Sequence, residues 1–257
     1  DWHAIPSETV PPTGPVRWSR WSQALASAAA VVVVLGLGLV WASGWRVETL
    51  SGRATYGGVA FAGRVALGGS LKTDAGTVAR MDVPGFGHVT LEPGGCLRRV
   101  RGKGDERRLE LERGTLHASI NAPPRLFVVG TRVGTAVDLG CAYTLTVDDT
   151  LHGRLAVTRG RVMFEQEGLE SLVPAGLWCP LGPNGAGVPR RVYASEAFLA
   201  AITVADDPGC QAGDLAPLLA SAQASDAITL WHLLSRVSGE ARRQVAERMA
   251  ALIQVPG

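Results

Sequence analysis

Chemistry in this chain would have to come from few residues. In GTAVDLGCAYTLTVDD (134–149) a thiol, Cys141, follows Asp138, and Asp148-Asp149 close the run. A cysteine beside carboxylates becomes a nucleophile only if it is held as the thiolate. The spacing argues against that. Val137, Leu139, Cys141, Tyr143, Leu145 and Val147 alternate with Asp138, Gly140, Ala142, Thr144, Thr146 and Asp148, the period-two pattern of a half-buried strand. On the apolar side of a strand, desolvation disfavours the thiolate. The run therefore reads as one core strand with Cys141 pointing inward, closed by a polar turn at Asp148-Asp149.

The remaining reactive side chains form no recognisable constellation. Cysteines at 96, 141, 179 and 210 lack CxxC or paired Cys/His spacing, so no metal site is expected. Histidines at 3, 88, 117, 152 and 232 are scattered singly. His117, between Leu116 and Ala118, is the one histidine considered as a partner for Cys141, and its strand reads as structural. His232, beside Trp231, reads as a packed or surface histidine. Glu110 and Glu112 share a solvated strand face. The sequence contains no GxSxG, HExxH or phosphate loop, and GLGL at 36–39 lies within an apolar run. The expectation is a non-enzymatic protein with no cofactor and no small-molecule substrate.

The elements that would hold these residues divide the chain of 257 residues into four parts. A net charge of +2 is too balanced to require nucleic acid or another polyanion. Ala24 to Ser43 carries no charge, and at about 1.5 Å per residue it reaches about 30 Å, a bilayer's hydrocarbon thickness. Trp18 and Trp21 on one side and Trp41 and Trp45 on the other read as membrane-interface anchors. This predicts a transmembrane helix over 23–44, preceded by a proline-rich extended arm over 1–22. Ala26, Ala30, Gly36 and Gly38 are small enough for another helix to pack closely. Arg17 and Arg20 balance Arg46 and Arg53, so charge leaves the orientation open.

From residue 46 to 190 the pattern is short apolar alternations broken by many of the 32 glycines. Val89 and Leu91 alternate with Thr90 and Glu92, and Leu109 and Leu111 with Glu110 and Glu112. The fold class expected is mainly β, an antiparallel roll, sandwich or short β-solenoid. Beyond Pro189 the period becomes helical over 191–257. Ser195 and Asp214 read as N-caps, and SDAITLWHLLSRV and EARRQVAERMAALI as an αα-hairpin turning at Ser238-Gly239.

VETLSG, VALGGSLKTDAGTVARM, HVTLEPGGCLRRV, RLELERGTLHASINAPPRLFVVGTRVGTAVDLGCAYTLTVDD and RLAVTRGRVMFE…SLVPAGLWC together resemble the FecR-type extracytoplasmic β domain, with a terminal TLWHLLSRV helical segment at 229–237. The resemblance implies a single-pass protein of a bacterial inner or intracytoplasmic membrane, with a cytoplasmic N-terminus and a periplasmic β domain. There a disulfide is permitted. Cys141 and Cys179 both follow strand-like segments with apolar neighbours, and they are the pair expected. FecR-type regulators bind a sigma factor through a cytoplasmic helical segment, for which residues 1–22 offer no helical pattern. The leading expectation is thus a structural subunit of a membrane complex, contacting integral-membrane subunits and lipid. The chain resembles accessory subunits of large bacterial membrane assemblies, with a photosynthetic reaction centre and its light-harvesting ring as the specific candidate. The alternative is a transmembrane anti-sigma regulator. A periplasmic carbohydrate-binding module ranks last, because exposed aromatics are few.

Overall fold

The strand RRLELERGTLHASI sets the architecture. Leu109 and Leu111 are buried on odd positions, then Leu116, Ala118 and Ile120 on even ones. That slip of phase at Gly114 turns the strand's apolar side from one sheet to the next. Gly114 has φ +101°, and a Cβ there would lie 2.6 Å from the Gly95 Cα, so only glycine fits the bend.

The computed structural model describes residues 44–52, 54–57, 63–207 and 210–253. One sheet contains β1 (Trp45–Ser51), β5 (Val78–Val83), β6 (Gly87–Leu91), the second half of β8 (Arg107–Ile120), β11 (Ala142–Val147), β12 (Gly153–Arg159) and β15 (Leu177–Gly182). The short β16 (Gly185–Ala186) and β17 (Arg190–Arg191) pair with β15. The other sheet contains β2 (Thr55–Gly57), β4 (Ser70–Lys72), β7 (Cys96–Arg101), the first half of β8, β9 (Phe127–Thr131), β10 (Gly134–Asp138), β13 (Arg161–Gln166) and β14 (Leu169–Pro174). A two-residue β3 (Arg64–Val65) pairs with the start of β1. Both sheets face a single apolar core that includes Leu71, Met81, Leu97, Leu111, Phe127, Tyr143, Leu155 and Phe164.

The mainly antiparallel β expectation holds, with one exception among the described pairings: β9 runs parallel to β8. Parallel neighbours ordinarily need a long crossover. Here the short Pro123-Pro124 link suffices because β8 has already changed sheets at Gly114.

Two further expectations are corrected. The run 134–149 is two strands rather than one, since β10 lies in the second sheet and β11 in the first. The chain turns between them at Gly140, φ +88°. Trp45 is no membrane-interface anchor: it opens β1, is 3% exposed and belongs to the β core. The alternation Trp45, Val47 points both inward, and the Arg99 guanidinium lies 4.6 Å from the Trp45 ring centroid.

The C-terminal part has its own apolar cluster, built from α1 (Glu196–Ala205), α2 (Ala216–Ser221), α3 (Ala227–Leu234) and α4 (Gly239–Leu252). Ser195 caps α1, its hydroxyl accepting the Phe198 N–H at 3.3 Å. Asp214 sits three residues inside its turn rather than at the cap, taking the Gln211 N–H at 2.9 Å. The hairpin of α3 and α4 packs Leu230 and Leu233 with Val245, as the helical spacing requires. Among the described residues no helix is long and apolar enough to cross a membrane. The span proposed for 23–44 lies outside the described residues but for Gly44, as do Trp18, Trp21, Trp41, Ala26, Ala30, Gly36 and Gly38.

Candidate functional site

The Cys141 thiol sits at the corner between β10 and β11. The Asp138 carboxylate accepts the Gly140 N–H at 2.6 Å on one oxygen and the Cys141 thiol at 2.5 Å on the other. Both residues are fully buried. Burial pushes the Asp138 carboxyl up, while the bonds from Cys141 and Gly140 hold it down. Burial also pushes the Cys141 thiol up, and the neighbouring carboxylate adds to it. Such a cysteine stays a thiol and donates a hydrogen bond; it has no nucleophile to offer. His117 cannot activate it. The imidazole is on the solvent face of β8, with Nδ1 2.9 Å from the Thr144 hydroxyl and Nε2 3.2 Å from Glu92.

The expected Cys141–Cys179 disulfide is also corrected, since both thiols are free. Cys179 pairs with Leu155, which pairs with Leu145 on β11. Two strand spacings across and the walk from Leu145 to Cys141 separate the cysteines by about 10 Å and about 13 Å in the two directions. A disulfide needs Cα atoms within about 7 Å. Burial pushes Cys179 up to about 12 and, with help from Glu112, Cys96 up to about 11. Cys96 opens β7, and its buried thiol donates to Glu112 at 3.1 Å.

The largest concentration of buried charge is elsewhere, where the chain leaves the β sheets for the helices. Asp206 ends α1, and its carboxylate accepts the Val188 N–H on both oxygens (3.0 and 2.9 Å), Arg190 Nη2 at 2.7 Å and Arg236 Nη1 at 3.0 Å. One side chain thus ties the strand exit, α1 and the end of α3 together. A carboxylate at a helix C-terminus opposes the helix dipole, and the two guanidiniums offset this. Arg190 is only 4% exposed; burial lowers its pKa and Asp206 raises it. Arg236 also donates to the Ala186 carbonyl.

A second pair lies beside the first. Arg191 donates to both oxygens of buried Asp226, at 2.6 and 3.2 Å, and Asp226 also accepts the Gln223 N–H at 2.9 Å. His232, on α3, lies 2.9 Å through Nε2 from the Leu172 carbonyl on the open side of edge strand β14. Burial lowers its pKa most, the Leu172 carbonyl opposes this, and Arg236 lowers it further. Of the packed and surface places expected for it, His232 takes the packed one, as a bridge between the two parts.

These contacts form a charged clasp between two separate apolar clusters. A cleft of about 620 Å³ opens beside it, lined by Trp178, Asn184, Arg190, Asp206 and Arg236 among others. Arg154 and Arg190 lie 4.0 and 5.2 Å from the Trp178 ring. The charges at the cleft bond to one another and to backbone, an arrangement suited to holding two bodies together. Among the described residues no group of three or more His, Cys, Asp or Glu side chains could hold a metal ion.

Sequence reasoning did not single out Arg190, Asp206, Arg191, Asp226 or Arg236. Their pairings join residues 16, 35 and 30 positions apart, and no local spacing marks them.

These features define a two-sheet β domain with a docked helical unit. No family model and no curated protein matches the chain. Two crystal structures of a candidate anti-sigma factor from Parabacteroides distasonis, at 1.65 and 2.50 Å resolution, are similar at 18% identity with a TM-score of 0.41. The alignments cover 51% of this chain and 63% and 62% of those chains, so this chain spans less than two thirds of their length.

Proposed function

We propose that this protein acts without catalysis, as a membrane-tethered interaction module in which the β domain carries the helical unit as a presented body. The observation that carries this is the clasp: two distinct apolar clusters meet through Asp206, Asp226 and His232, with Ile228 of α3 also packed on the β core. A seam of this kind holds a fixed geometry and can also be released by a partner that offers competing charges. Non-enzymatic action is further supported by the fate of Cys141, which is committed to Asp138.

The finer reading favoured by a releasable seam is a transmembrane regulator of the anti-sigma type, with a periplasmic β domain and a cytoplasmic N-terminus. The second reading, a structural subunit of a membrane complex, is supported by the single apolar run at 24–43 and the small residues within it. No described residue singles out a photosynthetic assembly. Gentle detergent extraction of native membranes, native gel separation and mass spectrometry of the band distinguish these readings. Co-migration with a sigma factor supports the regulator. Stoichiometric co-migration with integral-membrane subunits at moderate salt supports the subunit, and names its complex. Migration alone in the soluble fraction refutes both.

A further inference from the structure

One end of the β domain gathers several guanidiniums. In the hairpin of β7 and β8, Leu97 faces Leu111 and both are core residues. Two steps further on the same face Arg99 stands opposite Leu109, and two steps further again Arg101 stands directly opposite Arg107. The core side of the sheet therefore ends in three guanidiniums. Like charges directly opposite one another, about 5 Å apart at Cβ, destabilise a hairpin. A second such pair lies close by, where Arg46 on β1 opposes Arg64 on β3.

The guanidiniums are positioned, not merely crowded. Arg99 lies over the Trp45 ring and donates to the Val65 carbonyl at 3.1 Å, and Arg107 lies 5.6 Å from the Phe86 ring. Among the described residues neither Arg101 nor Arg107 has a carboxylate within ion-pair distance. Asp105 offers Arg107 only its backbone carbonyl, at 3.0 Å, and Glu106 in the same turn pairs with Arg108. This end is also where the chain enters the domain, since Arg64 donates to the Gly44 carbonyl at 2.9 Å and Trp45 pairs with Val65. The residues immediately before Gly44 are the uncharged run 24–43.

The geometry points to a phosphate-binding rim: Arg99, Arg101 and Arg107 seat the β domain on the phosphate headgroups of an anionic bilayer. Guanidinium forks match phosphate oxygens in bidentate fashion, and each basic residue near an anionic surface favours association about fivefold. The assignment rests on the proposed membrane tether.

The test uses the only two lysines in the chain, Lys72 and Lys103. Lys103 lies in the exposed turn between Arg101 and Arg107, and Lys72 lies in β4 and serves as the control. The full chain is incorporated into nanodiscs of neutral phosphatidylcholine, or of the same lipid with phosphatidylglycerol, and cut with a lysine-specific protease. The expected result is cleavage at Lys103 at least tenfold slower in anionic discs, with Lys72 unchanged, and R101Q/R107Q abolishing the difference. Equal cleavage in both discs overturns the inference and leaves the tether intact. Equal protection by inorganic phosphate in neutral discs overturns the bilayer as the source. A chain that does not enter discs at all overturns the tether, and the rim with it.

Discussion

Replacing Asp206 with alanine separates the clasp from the two cores it joins. The substitution removes the acceptor for the Val188 N–H, Arg190 and Arg236. Arg236, about one-third exposed at 32%, regains water and contributes little. Arg190 is buried and is left with the Val188 carbonyl, the Thr203 hydroxyl and the Trp178 ring. Stranding a buried charge costs about 3–5 kcal/mol, and those surviving partners place this site at the lower end, about 3 kcal/mol. In equilibrium terms that is about a hundredfold. Amide hydrogen exchange followed by mass spectrometry reads it region by region. Amides of α1 and α3 are expected to exchange about a hundredfold faster in D206A, while amides of β8 and β11 keep their protection. In D206A/R190M the stranded charge is gone too, and most of the protection returns. An increase below about threefold in the helices, equal acceleration in the β strands, or a double variant worse than the single one refutes the reasoning.

Three other outcomes follow from the same structure. Cys141→Ala withdraws one donor from buried Asp138 and is expected to lower stability by about 1–2 kcal/mol in urea unfolding, whereas Cys141→Ser, which keeps a donor, loses less; equal losses would deny the thiol bond any role. The folded pKa of His232 lies below its ordinary value, so the unfolded chain takes up a proton first; stability is complete above about pH 6.5 and declines as the pH falls through that value toward the folded one. His88 is shifted the same way, so His232→Gln is expected to remove part, not all, of the difference between urea midpoints at neutral and mildly acidic pH. Gly187→Ala would place a Cβ 2.4 Å from an Asp206 carboxylate oxygen and 2.5 Å from Pro180, and is expected to loosen α1 as D206A does; wild-type exchange in this variant would show that the carboxylate has room to move.

The strands were legible because one face of each meets the core and the other meets water. The phase slip from Leu111 to Leu116 at Gly114 emerged only with the fold. What alternation cannot carry is which strand neighbours which. The run 134–149 keeps its period through Gly140, so the corner between sheets was invisible, and with it the reason Asp138 is buried. The Cys141–Cys179 pairing failed on the same ground, because apolar neighbours mark both cysteines as inward but say nothing of register. Trp45 was misassigned because an aromatic next to an apolar run satisfies both an interface and a first core position. The inward Cys141 and the hairpin of α3 and α4 needed only local spacing. The clasp needed Arg190, Asp206 and Arg236 to meet across long stretches of chain, and only tertiary packing supplies that.

Because β8 belongs to both sheets, neither sheet has a boundary at which it could come apart alone. Its first half is hydrogen-bonded between β7 and β9, its second between β6 and β11. Opening either end strips partners from a strand that the other half still needs, so the loss spreads through Gly114. The β domain should therefore melt as one cooperative unit, with a single denaturant slope scaled to its whole buried surface and no half-folded species for a protease to trap.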